Sequence, residues 1–242
     1  MTASDLPPFA PPSPFGPLPP FARGVDGVEL PKGQRGVKPR DAASLILLRQ
    51  GQNASGLEVL LGKRARQHRF LPDVYVFPGG KIDSTDLSDI IHNDLNQKDY
   101  LNLLKSKTPP RLARALGIAA ARETWEETGL HLGNLRDGRL TPDLAGLVYL
   151  GRAITPAQSP IRYHARFFAA DAALAGGQLR ETGELLDLAF RPLEQALRLP
   201  LADITEFMLL RLAELGPDLR HPAGTAFWSY RRGLPLVRWE GE

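Results

Sequence analysis

The decisive stretch of this 242-residue chain reads Arg122-Glu-Thr-Trp-Glu-Glu-Thr-Gly-Leu130. It ends a run of helix-forming residues that begins just after Pro110. Proline is favoured in the first turn of a helix, and glycine is favoured just past its last turn. The pattern therefore predicts a helix over 111–128 that stops at Gly129.

Three glutamates interrupt the apolar pattern of this predicted helix. At 100° per residue, one face of the helix carries an apolar stripe, formed by Leu112, Ala115, Leu116 and Ala119. The next turn continues the same stripe with Glu123, Glu126 and Glu127. Acidic side chains thus occupy the face that is expected to turn towards the protein interior.

Such an arrangement of carboxylates predicts a bound cation. Acidic side chains three and four residues apart on a helix repel one another, and they do so more strongly when partly buried. The chain has no cysteine, and oxygen ligands favour Mg²⁺ or Mn²⁺ over Zn²⁺. Arg122 precedes Glu126 by one turn and is expected to orient that carboxylate. The alternative reading of this helix alone is a solvated helix end with an Arg122–Glu126 ion pair.

Together with two upstream glycines, this helix resembles the Nudix box, whose pattern is G-x5-E-x7-R-E-U-x-E-E-x-G-U, with U a bulky apolar residue. Residues 74–77 are expected to form a short strand that stops at Pro78-Gly79-Gly80. Gly80 takes the place of the leading glycine. The R-E-x-x-E-E-x-G-U half is matched, with Thr124 at the first U position.

The chain departs from the box pattern in two ways. Between Gly80 and Arg122 lie 41 residues where the pattern has 13, so 28 residues are inserted. Arg114 stands eight positions before Arg122, where the pattern has its first glutamate. We expect that acid to be lost, or replaced from the insertion by Asp83 or Asp86.

The resemblance implies an α/β fold in which a mixed β-sheet is sandwiched between helices. Residues 81–109 are then an inserted helical segment between the box glycines and the box helix, and residues 37–242 form the domain. Eight of the 22 prolines lie in the first twenty residues. Because proline removes backbone donors, residues 1–36 are expected to be an extended or disordered arm.

For function, the resemblance implies a hydrolase that splits a diphosphate linked to another group. Glu123, Glu126 and Glu127 would hold Mg²⁺ or Mn²⁺, which neutralises the diphosphate and lowers the pKa of a bound water. Glu126 and Arg122 are accordingly expected to be catalytic residues.

Two further features of the site are implied by the same resemblance. The backbone of Gly79 and Gly80 is expected to contact the metal and the substrate. The general base of this family is often a glutamate outside the helix, so Glu181 and Glu184, which precede a predicted strand, are candidates. The alternative is that both are ordinary loop acids.

The segment before the glycines resembles a coenzyme A-hydrolysing branch of the family, whose pattern is L-L-T-x-R-[SA]-x3-R-x3-G-x3-F-P-G-G. An ungapped alignment matches Leu60, Leu61, Arg64, Ala65 and Arg69, while Gly62 and Asp73 depart from it. Guanidinium groups suit phosphate, so Arg64 and Arg69 are expected to bind it, including the 3′-phosphate of coenzyme A. The alternative is that these basic residues merely solvate a strand end.

The long insertion also resembles that of a peroxisomal acyl-CoA diphosphatase group and its bacterial relatives. Coenzyme A or acyl-CoA is therefore the expected substrate, and the insertion is expected to help form its pantetheine or acyl pocket. The nearest alternative keeps the chemistry but takes ADP-ribose, NADH or another nucleoside diphosphate derivative. An alternative of another class is a non-catalytic Nudix module that senses a nucleotide or binds a partner.

The composition argues against nucleic-acid and membrane partners for this protein. The balance of 30 Lys+Arg against 27 Asp+Glu gives a net charge of +3, which is not the clustered excess of a nucleic-acid binder. No apolar run reaches the ~18 residues of a membrane span, and no signal peptide is recognisable at the N-terminus. We therefore expect a cytoplasmic protein that acts on a small molecule without membrane or nucleic-acid partners. A homodimer is expected by analogy only.

Overall fold

The computed structural model describes residues 37–51, 56–66, 72–157, 159–216, 219, 224–231 and 234–240. The predicted arm at residues 1–36 lies outside the described residues. In the described part of the chain the strands are β1 (Arg40–Gln50), β2 (Leu57–Arg64), β3 (Tyr75–Val76), β4 (Gly79–Lys81), β5 (Leu130–Arg136), β6 (Arg139–Pro142), β7 (Val148–Ile154), β8 (Tyr163–Asp171), β9 (Ala175–Gly177), β10 (Leu185–Pro192), β11 (Thr225–Arg231) and β12 (Leu234–Glu240). The α-helices are α1 (Gln97–Lys105), α2 (Pro110–Thr128), α3 (Leu193–Ala196) and α4 (Asp203–Leu215).

Most strands belong to one mixed sheet. Its order is β10-β2-β1-β8-β7-β11-β12, with β3 paired to β2 and β4 paired to β1. The pairs β1–β8 and β7–β11 are parallel, and the other pairs of this sheet are antiparallel. A smaller sheet has the order β6-β5-β9.

Alternate side chains of β1 enter two separate hydrophobic cores. Leu45 and Leu47 pack with α1 and α2 on one face, whereas Ile46 and Leu48 pack with α4 on the other. This alternation is the period-two pattern of a strand that is buried on both sides. The expected α/β fold with a mixed sheet between helices is therefore confirmed.

Helix α2 forms where the sequence predicts it. Pro110 occupies its first turn, and Gly129 ends it in the left-handed conformation at φ 75°, which glycine adopts at low cost. Thr124 departs from the family's bulky apolar residue, but its hydroxyl is fully buried and donates to the carbonyl of Ala120 at 2.8 Å. The departure thus leaves no polar group of this side chain unsatisfied.

Residues 81–109 contain a short 3-10 turn, Thr85–Leu87, followed by α1. Asn96 caps α1 by accepting a hydrogen bond from the backbone N–H of Asp99 at 3.0 Å. The buried Asp99 carboxylate in turn accepts from the backbone N–H of Tyr149 at 2.7 Å. These bonds fasten α1 to β7, next to α2. None of the described helices is long and apolar enough to span a membrane.

Candidate active site

The last turns of α2 present three glutamates at different depths of one cleft. Glu127 is 5% exposed, Glu123 is half-buried and Glu126 is exposed at the rim. The predicted inward direction of the acidic stripe is confirmed for Glu123 and Glu127. Glu126 differs because it occupies the side of the stripe that borders solvent.

Arg122 forms an ion-pair network with the neighbouring carboxylates. Its Nη1 donates to Glu123 Oε1 at 3.0 Å and to Glu126 Oε2 at 2.8 Å. Its Nε and Nη2 form a bidentate pair with Asp86, at 2.9 Å and 3.0 Å. Burial alone would lower the pKa of Arg122, but hydrogen bonding to Asp86 and the carboxylate charges raise it. The guanidinium therefore stays charged, and the expected pairing of Arg122 with Glu126 is confirmed.

Asp86 was one of two candidates for the missing box acid, and the structure distinguishes them. Asp86 is 1% exposed and pairs with the box arginine, whereas Asp83 forms its ion pair with Lys81. Counted forward from Gly80, Asp86 occupies the sixth position, where the pattern G-x5-E places its glutamate. The extra residues therefore follow this acid. Counting back from Arg122 had pointed to Arg114, and counting forward from the glycine would have found Asp86 directly.

Gly79 and Gly80 allow the chain to approach the carboxylates closely. The backbone N–H of Gly79 donates to Glu127 Oε2 at 2.8 Å. A Cβ atom on Gly80 would lie 2.3 Å from Glu123 Cδ, and one on Gly79 would lie 2.5 Å from the carbonyl oxygen of Ala43. Any side chain at either position would push the acidic group or β1 away.

Burial dominates the electrostatics of the two deeper carboxylates. It raises the pKa of Glu127 to about 8, although the Gly79 hydrogen bond acts in the opposite direction. Burial also raises the pKa of Glu123 and outweighs the lowering effect of Arg122. Since desolvation disfavours the charged form, these two side chains are carboxylates whose ionisation a nearby cation would favour.

The loop before β10 brings one of the two candidate bases to the cleft. Thr182 Oγ1 donates to the carbonyl oxygen of Glu127 at 3.1 Å, which fastens the loop to the end of α2. Glu184 lines the cleft, and its charge contributes to the raised pKa values of Glu123 and Glu127. Glu181 instead accepts a long hydrogen bond from a β10 backbone N–H and is not among the lining residues.

The structure describes one of the two arginines that are predicted to bind phosphate. Arg64, at the end of β2, lines the cleft next to the loop that carries Glu184. Arg69 lies outside the described residues. Its expected contact with phosphate therefore stays a prediction.

The cleft has a volume of about 500 Å³ and extends beyond the box residues. We call one part the box end, lined by Arg64, Gly79, Gly80, Lys81, Arg122, Glu123, Glu126, Glu127 and Glu184. We call the other part the distal end, lined by Thr155, Ser159, Tyr163, Asp203, Trp228 and Tyr230. Of residues 81–109, only Lys81 and Asp83 line the cleft. The expectation that this segment helps form the pantetheine or acyl pocket therefore stays a prediction.

The donor set at the box end fits a hard divalent cation. Carboxylate oxygens are the ligands that Mg²⁺ and Mn²⁺ prefer. Within the described ranges, however, no three acidic or histidine side chains are arranged to hold one metal ion as they stand. The physical reason is that Arg122 engages Glu123 and Glu126 while Gly79 engages Glu127.

Comparison with known proteins gives two informative likenesses, whereas no family model matches the chain. Over an alignment of 103 residues, the chain is 35% identical to acyl-coenzyme A diphosphatase NUDT19 of Xenopus laevis, and the match covers 34% of this chain and 27% of that protein. The chain thus spans about a quarter of the length of that relative. A Nudix hydrolase from Alicyclobacillus acidocaldarius superposes with a TM-score of 0.57 at 26% identity, covering 73% of this chain and 92% of that one. The fold and this superposition show that the chain has the fold of the Nudix hydrolases, and its box residues resemble those of that superfamily.

Proposed function

We propose that this protein is a divalent-metal-dependent hydrolase that cleaves the diphosphate linkage of coenzyme A or acyl-CoA. The observation that supports the proposal most strongly is the arrangement of charged groups at the box end of the cleft. There Arg122 faces the carboxylates of Asp86, Glu123 and Glu126, and Glu127 lies against the backbone of Gly79. The carboxylates at this end outnumber its cationic side chains, and the resulting negative excess favours the binding of a cation.

The residues of the box end divide the work of hydrolysis. Glu123, Glu126 and Glu127 would hold Mg²⁺ or Mn²⁺, which when bound supplies charge for the diphosphate and activates water. Arg122, fixed in plane by Asp86, orients Glu123 and Glu126. The backbone of Gly79 positions Glu127.

Two residues outside the box helix complete this proposal. Glu184 lines the cleft beside Glu123 and Glu127, so it is placed to accept the proton of the attacking water. We therefore prefer Glu184 to Glu181 as the general base. Arg64 presents a guanidinium to the same end of the cleft, where it would contact a phosphate oxygen.

The choice of coenzyme A derivatives has separate support. Arg64 belongs to the stretch that resembles the coenzyme A pattern and lines the cleft, which supports a phosphate contact there. The relative from Xenopus laevis bears the name of an acyl-coenzyme A diphosphatase. ADP-ribose and NADH present the same diphosphate to the same box residues, so an experiment must separate them.

A product-resolved substrate panel tests the proposal. Coenzyme A, an acyl-CoA, ADP-ribose, NADH and capped RNA are each incubated with the protein and Mg²⁺ or Mn²⁺. We expect the two coenzyme A compounds to be cleaved with the highest kcat/KM, to 3′,5′-ADP and a phosphopantetheine product. Faster cleavage of ADP-ribose or NADH would reassign the substrate. Failure to cleave any diphosphate would favour the non-catalytic module.

A further inference from the structure

The distal end of the cleft differs in charge from the box end. The cationic side chains among the described lining residues are Arg64, Lys81 and Arg122, and all three come from β2, β4 and α2. The lining residues from β7, β8, β11 and α4 include one charged group, Asp203, and it is an acid. A phosphate placed there would meet a carboxylate and no cation from the described lining, so this end is unsuited to an anionic group.

The same end offers hydrogen-bonding groups on an apolar wall. Trp228 and Phe167 are buried in the core beside α4 and also border the cleft. Tyr230 Oη donates to Asp203 Oδ2 at 3.0 Å. Burial, together with the neighbouring Asp203, raises the pKa of Tyr230, so its phenol remains a donor. A carboxylate has about four acceptor positions, so Asp203 retains capacity for a donor from a ligand.

A second buried polar group lines this end. Ser159 is 2% exposed, and its Oγ has no hydrogen-bond partner among the described residues. Buried hydroxyls are nearly always paired, by protein or by another molecule. The distal end therefore presents at least one acceptor and one hydroxyl that a ligand with N–H, O–H or carbonyl groups would satisfy.

Strand order gives the distance between the two ends. The path from β2 to β11 crosses β1, β8 and β7, which is four steps in the sheet. At about 4.8 Å per step, Arg64 and Tyr230 are carried by strands roughly 19 Å apart. A diphosphate at the box end does not reach so far, so the distal end contacts what the diphosphate is attached to.

We propose that the distal end binds the uncharged arm of the diphosphate substrate, with Asp203 accepting a hydrogen bond from an N–H or O–H of that arm. This inference rests on the proposed function and adds to it the orientation of the substrate. The uncharged, partly apolar arm lies towards α4 and β11. The phosphate-bearing nucleoside lies at or beyond the Arg64 side.

Asp203→Ala and Asp203→Asn test this orientation in the full chain, with Glu206→Gln as a matched control. Glu206 lies on the same helix one turn further along and is not among the residues lining the cleft. Thermal melting first confirms that each variant is folded. Kinetics then use coenzyme A and an analogue in which a methyl group replaces the pantetheine arm.

We expect Asp203→Ala to raise the KM for coenzyme A about tenfold or more, as for a lost hydrogen bond to a charged group, with little change in kcat. The KM for the methyl analogue should not change, and Glu206→Gln should leave both values as they are. The ratio of kcat/KM between coenzyme A and its 3′-dephospho form should also stay constant. A change in that ratio, or equal losses for coenzyme A and the methyl analogue, would overturn the proposal.

Binding measurements separate this inference from the proposed function. Calorimetric titration of the native protein with pantetheine alone, and with 3′,5′-ADP alone, requires no turnover. Asp203→Ala should weaken pantetheine binding about tenfold and leave the nucleotide unaffected. Unchanged pantetheine binding, or no binding to the native protein, would contradict the inference whether or not a diphosphate is hydrolysed.

Kinetics of Asp203→Ala with ADP-ribose identify which substrate groups donate a hydrogen bond to Asp203. A rise in KM confined to coenzyme A assigns the distal end to the amide N–H groups of its arm. A rise for ADP-ribose as well would show that Asp203 also accepts hydrogen bonds from sugar hydroxyls. A rise confined to ADP-ribose, or no rise for either substrate, would contradict the proposal.

Discussion

Two buried arginine clusters in this protein look alike and differ in their charge balance. In the Arg122 cluster, one arginine lies among four carboxylates, from Asp86, Glu123, Glu126 and Glu127. In the second group, which we call the sheet cluster, two arginines meet two carboxylates around a histidine; its members are Arg152, Arg166, His164, Asp41 and Glu240. The first cluster has a negative excess, and the second is balanced.

The clusters also differ in where they lie. Arg122 and the three glutamates of its cluster line the cleft, whereas none of the sheet cluster is among the residues that line it. Arg152 forms a bidentate pair with Glu240 at 2.9 Å and 2.6 Å, which joins β7 to the end of β12. Arg166 pairs with Asp41, which joins β8 to the start of β1. Both clusters bury charge, so burial does not distinguish them; the acidic excess and the position at the cleft do, and the proposed cation site rests on these two differences.

Neutralising one acid of the Arg122 cluster should have the largest effect. Glu127→Gln keeps the size of the side chain but removes a ligand charge, so we expect kcat to fall by about 10³-fold. Metal-supported turnover of the best substrate measures the loss. The matched control, Glu240→Gln in the sheet cluster, should leave kcat within about twofold. Similar losses in both variants would erase the distinction between the clusters.

Removing one arginine of the sheet cluster should affect stability instead. Arg152→Met leaves Glu240 without its bidentate partner, and breaking a buried pair costs about 3 kcal/mol. Denaturant unfolding measures this loss of free energy of unfolding. The folded variant should retain kcat within about twofold. A large loss of kcat with unchanged stability would place the sheet cluster in the catalytic machinery.

The sheet cluster should also make stability depend on pH. Arg152 Nη1 lies 2.9 Å from His164 Nε2, and because a guanidinium only donates, that nitrogen accepts and Nδ1 carries the proton. Burial, followed by the charges of Arg166 and Arg152, lowers the pKa of His164 to about 4 from 6.5, although Asp41 and Glu240 act in the opposite direction.

The sign of the pH effect follows from that lowered pKa. Between pH 6.5 and about 4, His164 is protonated in the unfolded chain but remains neutral in the folded chain. Stability therefore falls as pH falls. At pH 5 the loss from this group is about 2 kcal/mol relative to pH 7. His164→Gln should flatten the unfolding free energy between pH 7 and pH 5 by that amount. An equally steep profile in the variant would rule out His164 as its origin.

The smallest effects on kcat are expected at Asp86 and at Arg114, the residue that stands eight positions before Arg122. Asp86→Asn weakens the hold on Arg122, which Glu123 and Glu126 still contact, so we expect kcat to fall about tenfold. Asp86→Glu, the acid of the family pattern, should recover most of that loss. Arg114→Ala breaks only an exposed pair with Asp94, and exposed pairs contribute about 0–1 kcal/mol. Steady-state kinetics in which Arg114→Ala lost more activity than Asp86→Asn would contradict the assignment of the box acid.

The two arginine clusters also show which structural features can be predicted from the sequence. The box helix was predictable because its signals are local: proline at the start, glycine at the end and a periodic stripe between them. The prediction of 111–128 compares with Pro110–Thr128 in the structure. The pairing of Arg122 with Glu126 was predictable for the same reason, since both lie on one helix.

Long-range features were not predictable from local patterns. Strand β11 pairs in parallel with β7, although β8, β10 and α4 come between them in the chain. The sheet cluster joins Asp41 to Arg166 and Arg152 to Glu240, and sequence separation hides such pairs until the sheet is assembled. Asp203 lies in the cleft only because α4 begins beside β11.

Cation binding by the Arg122 cluster can be measured directly. Mn²⁺ is titrated into the native protein, Glu127→Gln and Arg152→Met, and bound ion is measured by electron paramagnetic resonance without any substrate. An acidic excess at the Arg122 cluster predicts that the native protein and Arg152→Met bind Mn²⁺ alike, whereas Glu127→Gln binds it at least about tenfold more weakly. Equal binding by all three proteins, or no binding by the native protein, would contradict the claim that this cluster is a cation site.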